Sequence, residues 1–364
     1  MLALLATQLG SLISPAYACG CGAMIPDGRS RIGVGQESSV LRWDGGTEQI
    51  VMRFTVSGDA HRAAWIMPVP GRATVELGNP ALFDDLARLT RPEQRTRTYF
   101  WPREGDWPFD GHGDGVGGAA PSAGAPQVGV VGREQLGDFD VARLTATDPQ
   151  ALRGWLKDNG FELPDGLATE LKPYVDQKWE YVAVRLAPKD KGRTLGGDLD
   201  PLRIRFASDR LVYPMRLSRL AKSPQSLGLY VLAEHRMEPG SAIGGSAPEV
   251  SFAGRIDPQS DPRSDPKSEA ALAELTGGKP VFLTAIDQRF PQPARINGDH
   301  ELRAAAADTP FRRVVYTDRL LTADDGTPVW LLTLLGAAVA VAAAGLVVAL
   351  GVRRRRRNAV RARA

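Results

Sequence analysis

Cysteine is nearly absent from this chain: Cys19 and Cys21 are the only two among 364 residues, and a single glycine separates them. A protein of this length without other cysteines is not stapled by disulfides and must hold together through an apolar core. No C-x-x-C and no second cysteine pair occurs, which excludes a zinc knuckle. Histidine is scarce too. His61, His112, His235 and His300 are the whole set, and none belongs to H-E-x-x-H or another close ligand pair. A net positive charge is missing from the body of the chain despite a formal net charge of +3. Seven of the 45 basic residues fall in the last twelve positions, leaving 38 basic against 42 acidic side chains elsewhere. The body is therefore mildly acidic, and the basic balance belongs to a tail, so no nucleic-acid partner is expected.

What is present decides topology. Val329 to Val352 reads VWLLTLLGAAVAVAAAGLVVALGV, without one charged residue. As a helix at about 1.5 Å per residue it would be roughly 36 Å long, enough to cross a ~30 Å hydrocarbon core. Trp330 stands at one end, where an interfacial ring belongs, and Arg353, Arg354, Arg355, Arg356 and Arg357 stand at the other. Basic residues beside a span are retained in the cytoplasm, so the tail 353–364 is expected inside, against anionic lipid head groups, with everything before Val329 outside. Met1 to Ala18 (MLALLATQLGSLISPAYA) fits the apolar region and A-x-A cleavage site of a secretory signal. Its basic leading segment is missing, as a start placed several codons late would produce.

Between these ends the pattern predicts a β-rich α+β ectodomain in two lobes, residues 19–110 and 127–320, joined by a loop at 111–126 that is mostly Gly, Ala, Pro and Ser. Glu48–Val56 and Arg62–Val69 read as strands, with Pro68 and Pro70 placing the second at an edge or bulge. Asn79 caps a helix that Pro92 stops, with Leu82, Phe83, Leu86 and Leu89 on one face. Val128–Val131 and Asp138–Leu144 look like strands. Asp148-Pro149 opens a second helix closed by Asn159-Gly160, and a shorter one runs from Asp165 to about Leu171. Strands follow at Lys178–Leu186, Leu211–Leu217 and Ser226–His235, while Asp257–Lys267 reads as turns.

Several of these segments resemble a bacterial family known as domain of unknown function 2330. They are the Ala-Cys-Gly after the signal, Trp65-Ile66-Met67-Pro68-Val69-Pro70, Leu82-Phe83-Asp84-Asp85-Leu86, Gly137-Asp138-Phe139-Asp140-Val141, the helix around Trp155-Leu156, and Tyr213-Pro214-Met215-Arg216-Leu217. The resemblance implies an exported protein, often with a C-terminal span. It brings no activity and no cofactor.

Residues that could carry chemistry are few. Cys19-Gly20-Cys21 could be a thiol–disulfide redox pair, a site of lipidation, or a closed disulfide fastening the N-terminus; the fastener is the ordinary fate of exported thiols. Asp106, Asp110, His112 and Asp114 could be drawn as a metal cluster, but acids beside a glycine-rich loop are usually just solvated. Gly113-x-Gly115-x-x-Gly118 lacks the strand and helix of a dinucleotide site. Ser264-x-x-Lys267 lacks a helix that would aim lysine at serine. Tyr99, Trp101 and Trp107 flank the loop and could form an aromatic contact surface for an extracytoplasmic ligand or protein, although rings commonly pack under an adjoining loop. The leading expectation is a membrane-anchored, non-catalytic binding or organising protein. The alternative is an envelope enzyme working through the cysteine pair.

Overall fold

The structure, a computed structural model, describes residues 22–28, 30–103, 106, 135–136, 139–144, 149–163, 166–188, 193–258 and 266–361. Cys19, Cys21, the loop 111–126 and the strand expected at 128–131 lie outside them. The chain divides into two compact units, Met1–Pro92 with Pro126–Arg313, and Glu93–Ala125 with Val314–Ala364.

Within the first unit, a five-stranded antiparallel sheet runs β1 (Ala23–Pro26), β4 (Ala63–Val69), β9 (Glu180–Leu186), β8 (Phe139–Leu144), β7 (Gln135–Leu136). A nine-stranded sheet runs β18 (Phe311–Arg312), β15 (Glu249–Ile256), β16 (Val281–Phe290), β13 (Gln225–Ala233), β2 (Ile32–Trp43), β3 (Thr47–Gly58), β11 (Leu202–Ala207), β5 (Thr74–Leu77), with β10 (Gly197–Asp198) also on β3. Its β2–β13 pair is parallel. A smaller sheet joins β12 (Leu211–Tyr213), β17 (His300–Ala304) and β14 (Met237–Pro239). Four helices belong to this unit: α1 (Ala81–Leu89), α2 (Pro149–Asp158), α3 (Leu167–Asp176) and α4 (Pro266–Thr276).

These elements stack as four layers. Trp65 and Met67 of β4 and Val182 and Val184 of β9 meet Met52 and Phe54 of β3, Ile204 of β11 and Leu229 of β13 in a core between the sheets. The outer face of the five-stranded sheet, through Ile66 and Tyr181, is covered by Leu152 and Leu156 of α2 and by Leu171 and Tyr174 of α3. The outer face of the nine-stranded sheet, through Val40, Val51 and Leu283, is covered by Leu82, Phe83 and Leu86 of α1 and by Leu272 and Leu275 of α4. A strand buried on both faces reads as an unbroken apolar run, which is why β4 (AAWIMPV) has every residue buried.

Local chemistry explains the element ends. Asn79 Oδ1 accepts the Ala81 amide at 3.0 Å, opening α1 as its cap role predicts. Gly160, at φ +80°, closes α2, and the Phe161 amide reaches back to the Leu156 carbonyl at 2.9 Å. Asp44 Oδ1 accepts the amides of Gly46 and Thr47 at 3.2 and 2.8 Å, folding the tight turn between β2 and β3 around Gly45 at φ +90°.

Several expectations are corrected. Strands from both expected lobes share sheets: β4 pairs with β9, β3 with β11 and β2 with β13. The chain therefore does not part at 111–126 into an N-terminal and a C-terminal lobe. β4 is interior to its sheet despite Pro68. Pro68 stands opposite Tyr181 of β9, and among the described residues the pairing with β1 ends at Ala23–Ile66. The strand expected at 211–217 stops at Tyr213 and gives way to a 3-10 turn, Arg216–Leu220. Lys267 lies in the first turn of α4, because Pro266 starts a helix there instead of ending a turn.

Candidate functional site

The second unit begins as a two-stranded parallel ribbon, β6 (Glu93–Tyr99) beside β19 (Val314–Leu320), with Val314 opposite Glu93 and Leu320 opposite Tyr99. β-branched residues alternate with arginine in Arg95-Thr96-Arg97-Thr98, which suits an extended strand open to water. After β19 the chain makes a small hairpin. Thr322 pairs with Pro328, the Ala323 amide bonds the Thr327 carbonyl at 2.8 Å, and Gly326 takes φ +83° at the turn. Helix α5 (Val329–Arg361) follows directly. Two backbone hydrogen bonds tie the ribbon to its start: the Leu321 amide donates to the Tyr99 carbonyl at 2.9 Å, and the Val329 amide donates to the Leu321 carbonyl at 3.0 Å.

Charge locks the same end. Asp318 on β19 accepts Arg97 Nε at 2.8 Å and Arg103 Nη1 at 2.6 Å. The hydrogen bonds from Arg97 and then Arg103 hold its carboxyl down to about 2. Arg103 lies over the Tyr99 ring, 4.1 Å from its centroid. Tyr99 Oη and the Arg103 amide both donate to Asp106 Oδ2 at 2.7 Å. The backbone bond from Arg103 is the main reason that the Asp106 carboxyl sits below its ordinary range. Arg97, Arg103 and Asp318 were not among the residues expected from sequence. The pairs lie 221 and 215 positions apart, and nothing local announces them.

The expected aromatic surface thus separates. Tyr99 is half-buried and engaged by Asp106 and Arg103. Trp101 is 62% exposed and meets Phe100 edge-on at 5.1 Å. Trp107 lies outside the described residues. Trp330 is only 5% exposed, so its ring is covered by protein. Arg353, Arg354 and Arg355 are exposed on α5, which continues through Arg356 and Arg357. The stretch Val329–Arg355 has a mean hydropathy of 2.5 in its most apolar part, none of which is buried, and it is long and apolar enough to cross a membrane.

In the first unit, two clefts were candidates. One, of about 310 Å³, lies between α1 and α4 and is lined by Asn79, Leu82, Arg203 and Glu274. Arg203 is already bonded to Gln49 Oε1 at 2.7 Å and to Glu274. The other, of about 240 Å³, is lined by Thr90, Arg91, Tyr230, Ser251, Asp287 and Arg313. There Arg313 bonds Asp287 at 3.3 Å and Glu249 at 3.2 Å. Glu48, whose carboxyl burial raises, and His300, whose imidazole burial lowers, line neither cleft. Among the described residues no three His, Cys, Asp or Glu side chains are grouped to hold a metal. His61 bonds the Arg193 carbonyl and His235 bonds Asp308, both at the surface. His112, Asp110 and Asp114 lie outside the described residues, as do the glycine motif 113–118 and Ser264.

No curated protein matches this sequence. Among solved structures, the crystal structure of baculovirus P35 aligns over 75% of this chain and 97% of that chain, at 9% identity and a TM-score of 0.33, a likeness that carries no functional argument. The expected family is confirmed: residues 15–303 match the uncharacterized proteins conserved in bacteria grouped as DUF2330, and the chain belongs to that family.

Proposed function

We propose that this is an exported protein of the cell envelope, anchored by α5, whose first unit binds or organises something outside the cytoplasm without catalysing a reaction. The observation that carries the reading is α5 itself. A soluble protein does not leave so long an apolar helix with no side of it covered, whereas a bilayer supplies the missing cover. The arginine run after Val352 fits a cytoplasmic tail, and the apolar segment before Cys19 fits an export signal. Glu48 and His300, both perturbed by burial, line neither cleft, and Arg203 and Arg313 in those clefts already have carboxylate partners. That arrangement suits a rigid scaffold with a contact surface better than an acid–base centre.

Reporter fusions after Ala364 test the anchor and its direction together. A fluorescent protein that matures in the cytoplasm should be bright, and alkaline phosphatase, active only after export, should be silent. Active phosphatase at that position would refute the orientation. Recovery of the protein in the soluble fraction would refute the anchor.

A further inference from the structure

We infer that the juxtamembrane end of the second unit, led by Trp101, is itself a lipid-binding surface seated in the head-group region of the leaflet where α5 begins. The inference rests on the membrane reading of α5 and goes beyond it, because it places residues far away in sequence at the bilayer.

The sequence offers Trp330 as the interfacial ring, yet Trp330 is 5% exposed and has no face to give to lipid. Among the described residues of this unit, Tyr316, further along the ribbon, is 56% exposed, and Trp101, close to the helix start, is 62% exposed. Its position relative to α5 is fixed by backbone. The Tyr99 carbonyl, Leu321 and the Val329 amide form two successive hydrogen-bonded steps. Strand-like steps of about 4.8 Å each put Tyr99 roughly 10 Å from the first residue of the apolar helix. Leu321, midway along this path, is itself 36% exposed. The head-group zone is about 5–7 Å deep on each side of the hydrocarbon core. A helix that enters the core at Val329 therefore holds Tyr99 and residues 100–103 within reach of the interface, through a path of about 10 Å.

The chemistry at that place is amphipathic in the right sense. Trp101 and Leu321 supply apolar surface, and an indole ring carries an apolar body with one polar N–H, the combination enriched at membrane–water boundaries. Arg103 beside them is held by Asp318 and by the Tyr99 ring, which fixes its side chain against the ribbon. Lipid would therefore meet Arg103 already held in place, with less ordering left there to oppose binding. The arrangement does not depend on which side of the membrane the ribbon occupies.

Depth-resolved quenching tests this on the full chain in phosphatidylcholine vesicles. In a background with Cys19 and Cys21 changed to serine, a small environment-sensitive fluorophore is placed at Trp101→Cys, at Val341→Cys in mid-helix, or at Thr55→Cys in the first unit. Lipids carry nitroxides either near the head group or deep in the acyl chain. The label at 101 should be quenched at least threefold more by the shallow probe than by the deep one, with the reverse at 341 and no quenching at 55. Quenching at 341 without quenching at 101 overturns the inference and leaves the membrane reading intact. Absence of quenching at 341 defeats both. To guard against the dye driving insertion, unlabelled wild-type protein is compared with Trp101→Ala. Brominated lipid should quench a larger share of wild-type tryptophan emission, and equal shares would also overturn the inference.

Discussion

Two side chains in the core of the first unit carry opposite liabilities. His300 is 1% exposed on β17, and neither ring nitrogen has a hydrogen-bond partner among the described residues. Burial alone pushes it down to about 4 from an ordinary 6.5. Glu48 on β3 is fully covered, and burial raises its carboxyl well above 4.5 despite the Val212 amide that Oε2 accepts at 3.2 Å. The signs follow from proton linkage. Between pH 4 and 6.5 the unfolded chain binds a proton at His300 that the folded chain refuses, so stability falls as pH drops through that window. Above pH 4.5 the folded chain retains a proton on Glu48 that the unfolded chain releases, so stability falls as pH rises toward the raised value. Denaturant titrations of the detergent-solubilised full chain should separate the two effects. The advantage of His300→Leu over wild type should grow by roughly 3 kcal/mol from pH 6.5 down to pH 4, taking about 1.4 kcal/mol per pKa unit. The advantage of Glu48→Gln, which keeps an acceptor for Val212, should instead grow as pH rises above 4.5. A pH-independent difference for either variant would contradict its assignment. Both residues are visible in the sequence, but their burial is not, because a lone Glu in EQIVMRFTV looks like the polar side of an exposed strand.

At the scale of elements, the ribbon of β6 and β19 is the one most dependent on single residues. Two strands without a covering layer are marginal in water. Six of the seven residues of β6 are exposed or nearly so, and only Tyr99 is half-covered. Asp318 therefore matters as a crosslink between β19, Arg97 and the loop at Arg103. Its carboxyl, held down to about 2, keeps these pairs charged through the whole ordinary carboxylate range and releases them only as pH falls through about 2. Asp318→Ala should raise the rate of tryptic cleavage after Arg97 and Arg103 several-fold in the full chain at neutral pH, while Asp318→Asn should lie between it and wild type. An unchanged cleavage rate would show that backbone pairing alone holds the ribbon. Elements with local signals were legible: α1 through Asn79 and its Leu82, Phe83 and Leu86 face, and α2 through Gly160. β6 was not, since the polar run EQRTRTY becomes a strand here only because Val314–Leu320 pairs with it across more than two hundred residues.

For the whole molecule, the arginine run is proposed to decide which way the chain faces. Changing Arg353 through Arg357 to serine leaves Arg361 and Arg363, so retention of the tail should weaken without vanishing. The same reporters after Ala364 should then show phosphatase activity in a measurable fraction of molecules. If orientation stayed uniform, the bias must come from the N-terminal segment or the folding of the first unit.

The sequence by itself determined the apolar C-terminal helix and the class of the middle. An uncharged apolar run and an arginine block are composition, and composition suffices to predict a span because a bilayer responds to length and charge alone. It also determined the family, through aromatic and proline motifs that are packing positions, and the β-rich character, through short runs whose propensity is local. Tertiary structure alone decided how those runs pair. β2 lies beside β13, β4 beside β9 and β6 beside β19, and each register depends on which apolar faces find cover across the core. It decided that Trp330 is covered while Trp101 is open, that Glu48 and His300 are dry, and that Asp318 meets two arginines from the far side of the chain. Burial and long-range pairing are properties of the packed chain, and no window of neighbouring residues contains them.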